Sequence, residues 1–124
     1  MNGKEILEFN DLRVEPVPVP EWNTTLYVRS ITAKEQDAWS AETVKQKQEN
    51  RANFQASFLV LCMCDESGAL LFSRKDADAL GNKSAGALNR LFNVASRLNG
   101  LSSEDVRELE KNSVTTQDED SISV

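Results

Sequence analysis

The sequence predicts a mostly helical α+β domain: an N-terminal β-hairpin, then four or five packed helices, then a disordered acidic C-terminal tail. Three observations support this prediction. Apolar residues alternate over Leu12–Pro20, the period of an extended strand. Thr32 and Glu35 form the capping-box pattern that begins a helix. An apolar stripe with helical spacing runs from Leu88 to Leu98. The length of 124 residues suits one compact domain.

The first predicted element is the hairpin. Its first strand reads LRVEPVPVP, and the three prolines remove donors that a central strand would need. Leu12–Pro20 is therefore an edge strand or a polyproline-like arm. Leu26–Ile31 is rich in β-branched and aromatic residues, which favours the second strand, with a turn near Trp22 to Thr24.

Two helices are predicted next. The capping box places the first helix start at Ala33, and the scarcity of apolar residues indicates a largely exposed helix anchored mainly by Trp39. Ala52–Cys64 is apolar on all sides, which is typical of a buried central helix.

The last helices follow a turn at Asp65–Gly68. A short helix begins at Ser73 and ends before Gly81, and Ser84 caps an amphipathic helix that stops at Asn99-Gly100. A final helix is expected from Ser102 or Ser103. The predicted core residues of all these helices are Phe54, Phe58, Leu61, Leu88, Leu91, Phe92 and Leu98.

The predicted organisation has three parts: a flexible N-terminus over residues 1–11, a single domain over 12–112, and a disordered tail over 113–124. The tail is rich in Ser, Thr, Gln, Asp and Glu, so it has too little apolar surface to order itself. The N-terminus has no apolar run of signal-peptide length, and no stretch is long enough to span a membrane. We therefore expect a cytoplasmic protein.

Charge and composition exclude several classes of function. With 14 Lys and Arg against 20 Asp and Glu, the net charge is −6, which argues against partners such as nucleic acid or an anionic membrane. The chain has no histidine, so acid–base or metal chemistry that needs imidazole is excluded. Cys62 and Cys64 are interpreted as buried, reduced thiols. The paired carboxylates fall in predicted turns, helix starts or the tail, where capping and solubility explain them. We expect no catalytic residues, metal or cofactor, and a binding protein rather than an enzyme.

Three aromatic side chains are the candidate partner-binding residues: Trp22, Tyr27 and Trp39. Each combines a large apolar surface with a polar tip and lies on an otherwise polar element, a setting in which aromatic residues often contact a partner. The alternative for both tryptophans is that they simply pack on a small core.

Three segments resemble one protein family. They are PEWNTTLYVRSITAKEQDAW from Pro20, CMCDESGALLF from Cys62, and ALNRLFNVASRLNGLSSEDVRELEKN from Ala87. Together they resemble the tail assembly chaperones of long-tailed, siphovirus-type bacteriophages and prophages, over about Leu12 to Asn112.

The resemblance implies a small non-catalytic chaperone that binds the tape-measure protein and helps recruit tail-tube subunits. It also implies action in the cytoplasm of the bacterial host and absence from the mature virion. Self-association through the same three aromatic side chains is a further expectation, which would give a homo-oligomer. Proteins of this family are commonly made in two lengths by ribosomal frameshifting, and the longer form recruits the tail-tube protein. The alternative readings are a small acidic regulatory or adaptor protein of a prophage, and an enzyme with a carboxylate-bound metal.

The resemblance also directs attention to the codons of the last predicted helix. Glu110-Lys111-Asn112 can be encoded by a run of adenines on which a ribosome slips back by one base. A slip there would keep the packed domain and replace Ser113–Val124, which the fold does not need.

Overall fold

A computed structural model describes residues 1–45, 53–101, 104, 107 and 108. It confirms the predicted fold class. An antiparallel sheet in the order β1-β2-β3 is formed by β1 (Val14–Val19), β2 (Thr24–Arg29) and β3 (Met63–Cys64). The helices of the described residues are α1 (Gly3–Glu8), α2 (Ala33–Lys45), α3 (Phe54–Cys62), α4 (Ala77–Leu80) and α5 (Ala85–Leu98). The predicted last helix and tail lie largely or wholly outside these residues.

The predicted hairpin is present. A 3-10 turn at Pro20–Trp22 is followed by Asn23 at φ 53°, in the left-handed region that Asn tolerates better than most residues. This turn sets a register in which Val17 lies opposite Leu26. Val17 and Val19 are buried while Pro16 and Pro18 are exposed, so one face of the hairpin packs on the core.

The predicted helix starts are confirmed at atomic detail. The Thr32 amide donates to Glu35 Oε1 at 2.9 Å, and the Glu35 amide donates to Thr32 Oγ1 at 3.1 Å. At the start of α5, Ser84 Oγ accepts from the Ala87 amide at 3.1 Å. These bonds satisfy amides that have no partner within the helix.

The core lies between α2, α3, α5 and the inner face of the sheet. Six of the nine residues of α3 are buried, as expected for a central helix. Five of the seven predicted core residues are buried, while Leu61 and Leu98 are half-buried against the core. The amphipathic stripe of α5 packs on α3 and on the hairpin.

An aromatic cluster joins the three long helices. The Trp39 ring centroid lies 5.3 Å from that of Phe54 and 4.8 Å from that of Phe58. Phe92 of α5 completes the cluster, with its ring centroid 5.7 Å from that of Phe58. The Trp39 indole N–H donates to Ser57 Oγ at 2.8 Å, so its polar atom is satisfied inside the protein.

The structure corrects the end of the central helix. Helix was predicted to Cys64, but α3 ends at Cys62, and Met63 and Cys64 pair with Val28 and Tyr27 of β2. The backbone of these two residues bonds to a neighbouring strand, which an apolar run by itself does not reveal.

The N-terminus contains an element that the sequence analysis did not predict. The helix α1 begins with a capping box between Asn2 and Glu5, and it contributes no buried residue. Its apolar side chains, including Ile6 and Leu7, are therefore exposed.

Candidate partner-binding surface

The outer face of the sheet is the side turned away from the core. Side chains alternate along a strand, so burial of Val17 and Val19 places Pro16 and Pro18 on the opposite side. By register, Pro16 lies opposite Tyr27, which lies opposite Cys64, and Cys64 bridges to Leu70. Residues directly opposite each other in a sheet point to the same face. These side chains therefore form one row across the outer face.

The outer face is partly covered. The turn Asp65–Gly68 approaches it at Val14, where a Cβ added to Gly68 would lie 3.6 Å from Val14 Cγ2. Cys64 is buried and Tyr27 is half-buried, whereas Pro16, Pro18 and Thr25 are exposed. The open part of this face therefore centres on the two prolines, with Leu70 at its margin at 41% exposure.

Two of the three candidate aromatics lie elsewhere in the fold. Trp22 is half-buried in the hairpin turn and packs against the core. Trp39 is 2% exposed, so its expected place at a partner-binding surface is corrected to a place in the core. The structure thus leaves Tyr27 on the outer face and does not bring the three side chains together.

The exposed prolines and Leu70 were not identified as candidate partner-binding residues from the sequence. The alternation of residues in Leu12–Pro20 could have placed the prolines on one face of the strand.

Two ion pairs link the hairpin to α5. Arg90 Nη2 lies 3.0 Å from Glu21 Oε2, and Arg97 Nη2 lies 2.8 Å from Glu15 Oε2. A Cβ at Gly86 would lie 3.1 Å from Glu21 Oε2, so the glycine allows this carboxylate to approach the first turn of α5. The hydrogen bond from Arg90 lowers the pKa of Glu21. Both pairs are solvent-exposed and add little stability, so they link the hairpin to α5 without fixing its orientation.

A cavity of about 460 Å³ lies between the N-terminal segment, the start of α2 and the end of α5. Asn99 is one of its lining residues. Asn99 Oδ1 accepts from the Ile31 amide at 2.7 Å, and Asn99 Nδ2 donates to the Ala95 carbonyl at 2.8 Å. The side chain thereby joins the end of the hairpin to the end of α5. Asp11 is the one ionisable residue among those that line the cavity.

Both cysteines are buried, as predicted, Cys62 in the core and Cys64 on the outer face of the sheet. Both are free, and burial raises the pKa of Cys62 to about 12 and also raises that of Cys64. Both thiols are therefore protonated at neutral pH and are weak nucleophiles.

Neither a metal-type cluster nor a spanning helix is found in the described ranges. Across residues 1–45 and 53–101 and the three placed positions beyond them, no group of three or more Cys, Asp or Glu side chains is arranged to hold a metal ion. None of the helices described there is both long enough and apolar enough to cross a lipid bilayer.

Comparison with known proteins identifies one family. A family model described as phage tail assembly chaperone matches residues 8–112. Among solved structures, the tail assembly chaperone of bacteriophage HK97 superposes with a TM-score of 0.59 at 21% sequence identity, over 81% of this chain and 95% of that one. At that identity the likeness shows a shared fold. The comparison with curated proteins gives no match.

Proposed function

The chain belongs to the phage tail assembly chaperone family, and from that premise we propose that it binds the tape-measure protein and helps recruit tail-tube subunits during tail morphogenesis. The observation that carries this proposal is the family match over residues 8–112, which includes all three strands and the helices α2 to α5. The proposed role is non-catalytic. The complete absence of histidine and the protonated state of both thiols agree with it.

The outer face supports binding of a helical client. Pro16 and Pro18 are exposed, and Tyr27 is half-buried beside them with an amphipathic ring. A helix with an apolar stripe can cover these exposed apolar groups. Trp22 is a second proposed contact at the hairpin turn, where part of its side chain is accessible. Trp39 supports the fold beneath these elements.

Binding is tested by co-expressing the tagged chain with the tape-measure protein encoded by the same phage and measuring the amount retained on affinity resin. We expect retention by the parent chain. Tyr27→Ala is expected to weaken binding about tenfold or more, because truncation of an aromatic contact at an interface typically costs that much.

Phe9→Ala is the matched control, since Phe9 is exposed and belongs to the segment that follows α1 rather than to the sheet. It should retain the tape-measure protein like the parent. A parent chain that retains none contradicts the proposed function. Equal loss in both variants contradicts the assignment of the outer face.

Recruitment of tail-tube subunits is proposed to need a longer form of the protein made by frameshifting. The slip codons proposed at Glu110-Lys111-Asn112 lie outside the described residues. The family membership supports this step, and the physical logic is that a slip beyond α5 keeps the packed domain intact. Mass spectrometry of infected or induced cells should find a longer product sharing residues 1–111. A gene sequence without the slippery adenine run, together with the absence of a longer product, would contradict the proposed frameshift.

The proposed setting follows from the assembly role. We propose that the protein acts in the cytoplasm of the bacterial host and is absent from the mature virion. The exposed apolar residues of α1, Ile6 and Leu7, provide surface for self-association, so a homo-oligomer is part of this proposal.

A further inference from the structure

The edge strand β1 has an unusual set of backbone hydrogen-bonding groups. The Ser30 amide donates to the Arg13 carbonyl at 2.8 Å, so residues 13 and 30 are a hydrogen-bonded pair. Hydrogen-bonded and non-hydrogen-bonded pairs alternate along an antiparallel ladder. The pairs Val14–Arg29, Pro16–Tyr27 and Pro18–Thr25 are therefore of the second kind. On β1 the backbone groups of Val14, Pro16 and Pro18 point away from β2.

This free edge accepts hydrogen bonds but scarcely donates them. It presents the carbonyls of Val14, Pro16 and Pro18, and proline has no N–H, so the one amide that points outward is that of Val14. An added strand needs alternating donors and acceptors along the edge. The edge therefore does not support strand addition, which is a common way for a sheet to bind a peptide.

Strand β1 itself is mostly apolar and carries one charged side chain. The rings of Pro16 and Pro18 are exposed on the outer face beside the free edge. The single ionisable residue of β1 is Glu15, and its carboxylate is paired with Arg97. The strand thus offers carbonyl acceptors and aliphatic surface, and no uncommitted charge.

We propose that the free edge and outer face of β1 bind an α-helical segment of the client, one with an aliphatic stripe flanked by Lys, Arg, Asn or Gln side chains that donate to the β1 carbonyls. Outward carbonyls two residues apart on a strand are about 6.8 Å apart. Side chains four residues apart on a helix are separated by about 6 Å along its axis. Successive donors on one helix face can therefore reach successive carbonyls. This inference rests on the proposed function, because the client is the tape-measure protein.

The test introduces amides at the edge without removing aliphatic bulk. Pro16→Val and Pro18→Val are combined, since valine suits a strand and keeps a branched side chain on the outer face. Pro20→Val is the matched control, because Pro20 is exposed in the 3-10 turn and lies beyond the last strand pair, Val19–Thr24. Each tagged variant is co-expressed with the tape-measure protein, and its dissociation constant is measured after purification. Circular dichroism and thermal melting report whether the variant is folded.

We expect the double variant to melt near the parent and to bind the tape-measure protein at least tenfold more weakly, because a docked helix would bury the two new amides without acceptors. Binding by Pro20→Val should be unchanged. Parent-like affinity in the double variant, or equal loss in Pro20→Val, overturns the inference. If the double variant does not fold, the two single variants are measured instead. A partial loss of tape-measure affinity in each supports binding at the β1 edge, and no loss in either overturns the inference. A parent chain that does not bind contradicts the proposed function itself, together with this inference.

Discussion

Trp39→Ala is expected to lower the free energy of unfolding by about 3–5 kcal/mol, the usual cost of truncating a buried aromatic residue to alanine. Trp39 is 2% exposed and packs against Phe54 and Phe58 at the junction of α2 and α3. The substitution leaves a cavity and also removes the indole N–H that donates to Ser57 Oγ. Equilibrium denaturant titration measures the loss, and the melting temperature should fall by more than about 10 °C.

Trp22→Ala is the matched control for this prediction. Trp22 is half-buried at the margin of the core, so its truncation removes less buried surface and should cost less than that of Trp39. A loss under about 1 kcal/mol for Trp39→Ala would contradict the placement of the indole in the core. If a fully folded Trp39→Ala variant binds the tape-measure protein more weakly, Trp39 contributes to partner binding after all.

Leu91→Ala is expected to lower the free energy of unfolding by about 2–5 kcal/mol. Leu91 is fully buried in α5, the helix that packs on both α3 and the hairpin. Its truncation removes apolar contacts in the core, where neighbours fill the resulting cavity only partly. The measurement is again the unfolding free energy from denaturant titration.

Leu71→Ala makes the same chemical change at a position that is 46% exposed. It should change the unfolding free energy by less than about 1 kcal/mol, because much of that side chain already contacts water. Similar losses in the two leucine variants would show that the buried face of α5 is wrongly assigned.

The hairpin and α5 were predictable because their patterns are local. Alternation of apolar residues along Leu12–Pro20 indicated the strand. Prolines at alternate positions of that strand indicated that it lies at the edge of the sheet. The stripe from Leu88 to Leu98 carries enough apolar residues to define a helix face without knowledge of its neighbours.

More than half of the described side chains of α2 are exposed and Trp39 is its buried anchor, as predicted from the sequence. The burial of Thr43 one turn later was not predicted. Thr43 becomes compatible with the interior by donating its hydroxyl to the Trp39 carbonyl at 2.8 Å. The sequence does not reveal this hydrogen bond, because it depends on the conformation of the Thr43 side chain in the folded helix.

The short strand β3 and the outer face depend on tertiary contacts. Two residues are too few to show a period, and Met63–Cys64 pairs with β2 because the fold brings them together. The same pairing brings Leu70 alongside the outer row through its bridge to Cys64. Tyr27 was identified from its residue type, whereas the row to which it belongs required the sheet register.

Binding of the tape-measure protein by this chain should keep that protein soluble. The measurement is the fraction of tape-measure protein that remains in the supernatant after co-expression, followed by size-exclusion chromatography with light scattering. We predict that the parent chain raises that fraction severalfold over an empty vector and elutes with the tape-measure protein in one complex. An equal soluble fraction with and without the chain, and separate elution of the two proteins, would show that the chain is not a chaperone for the tape-measure protein.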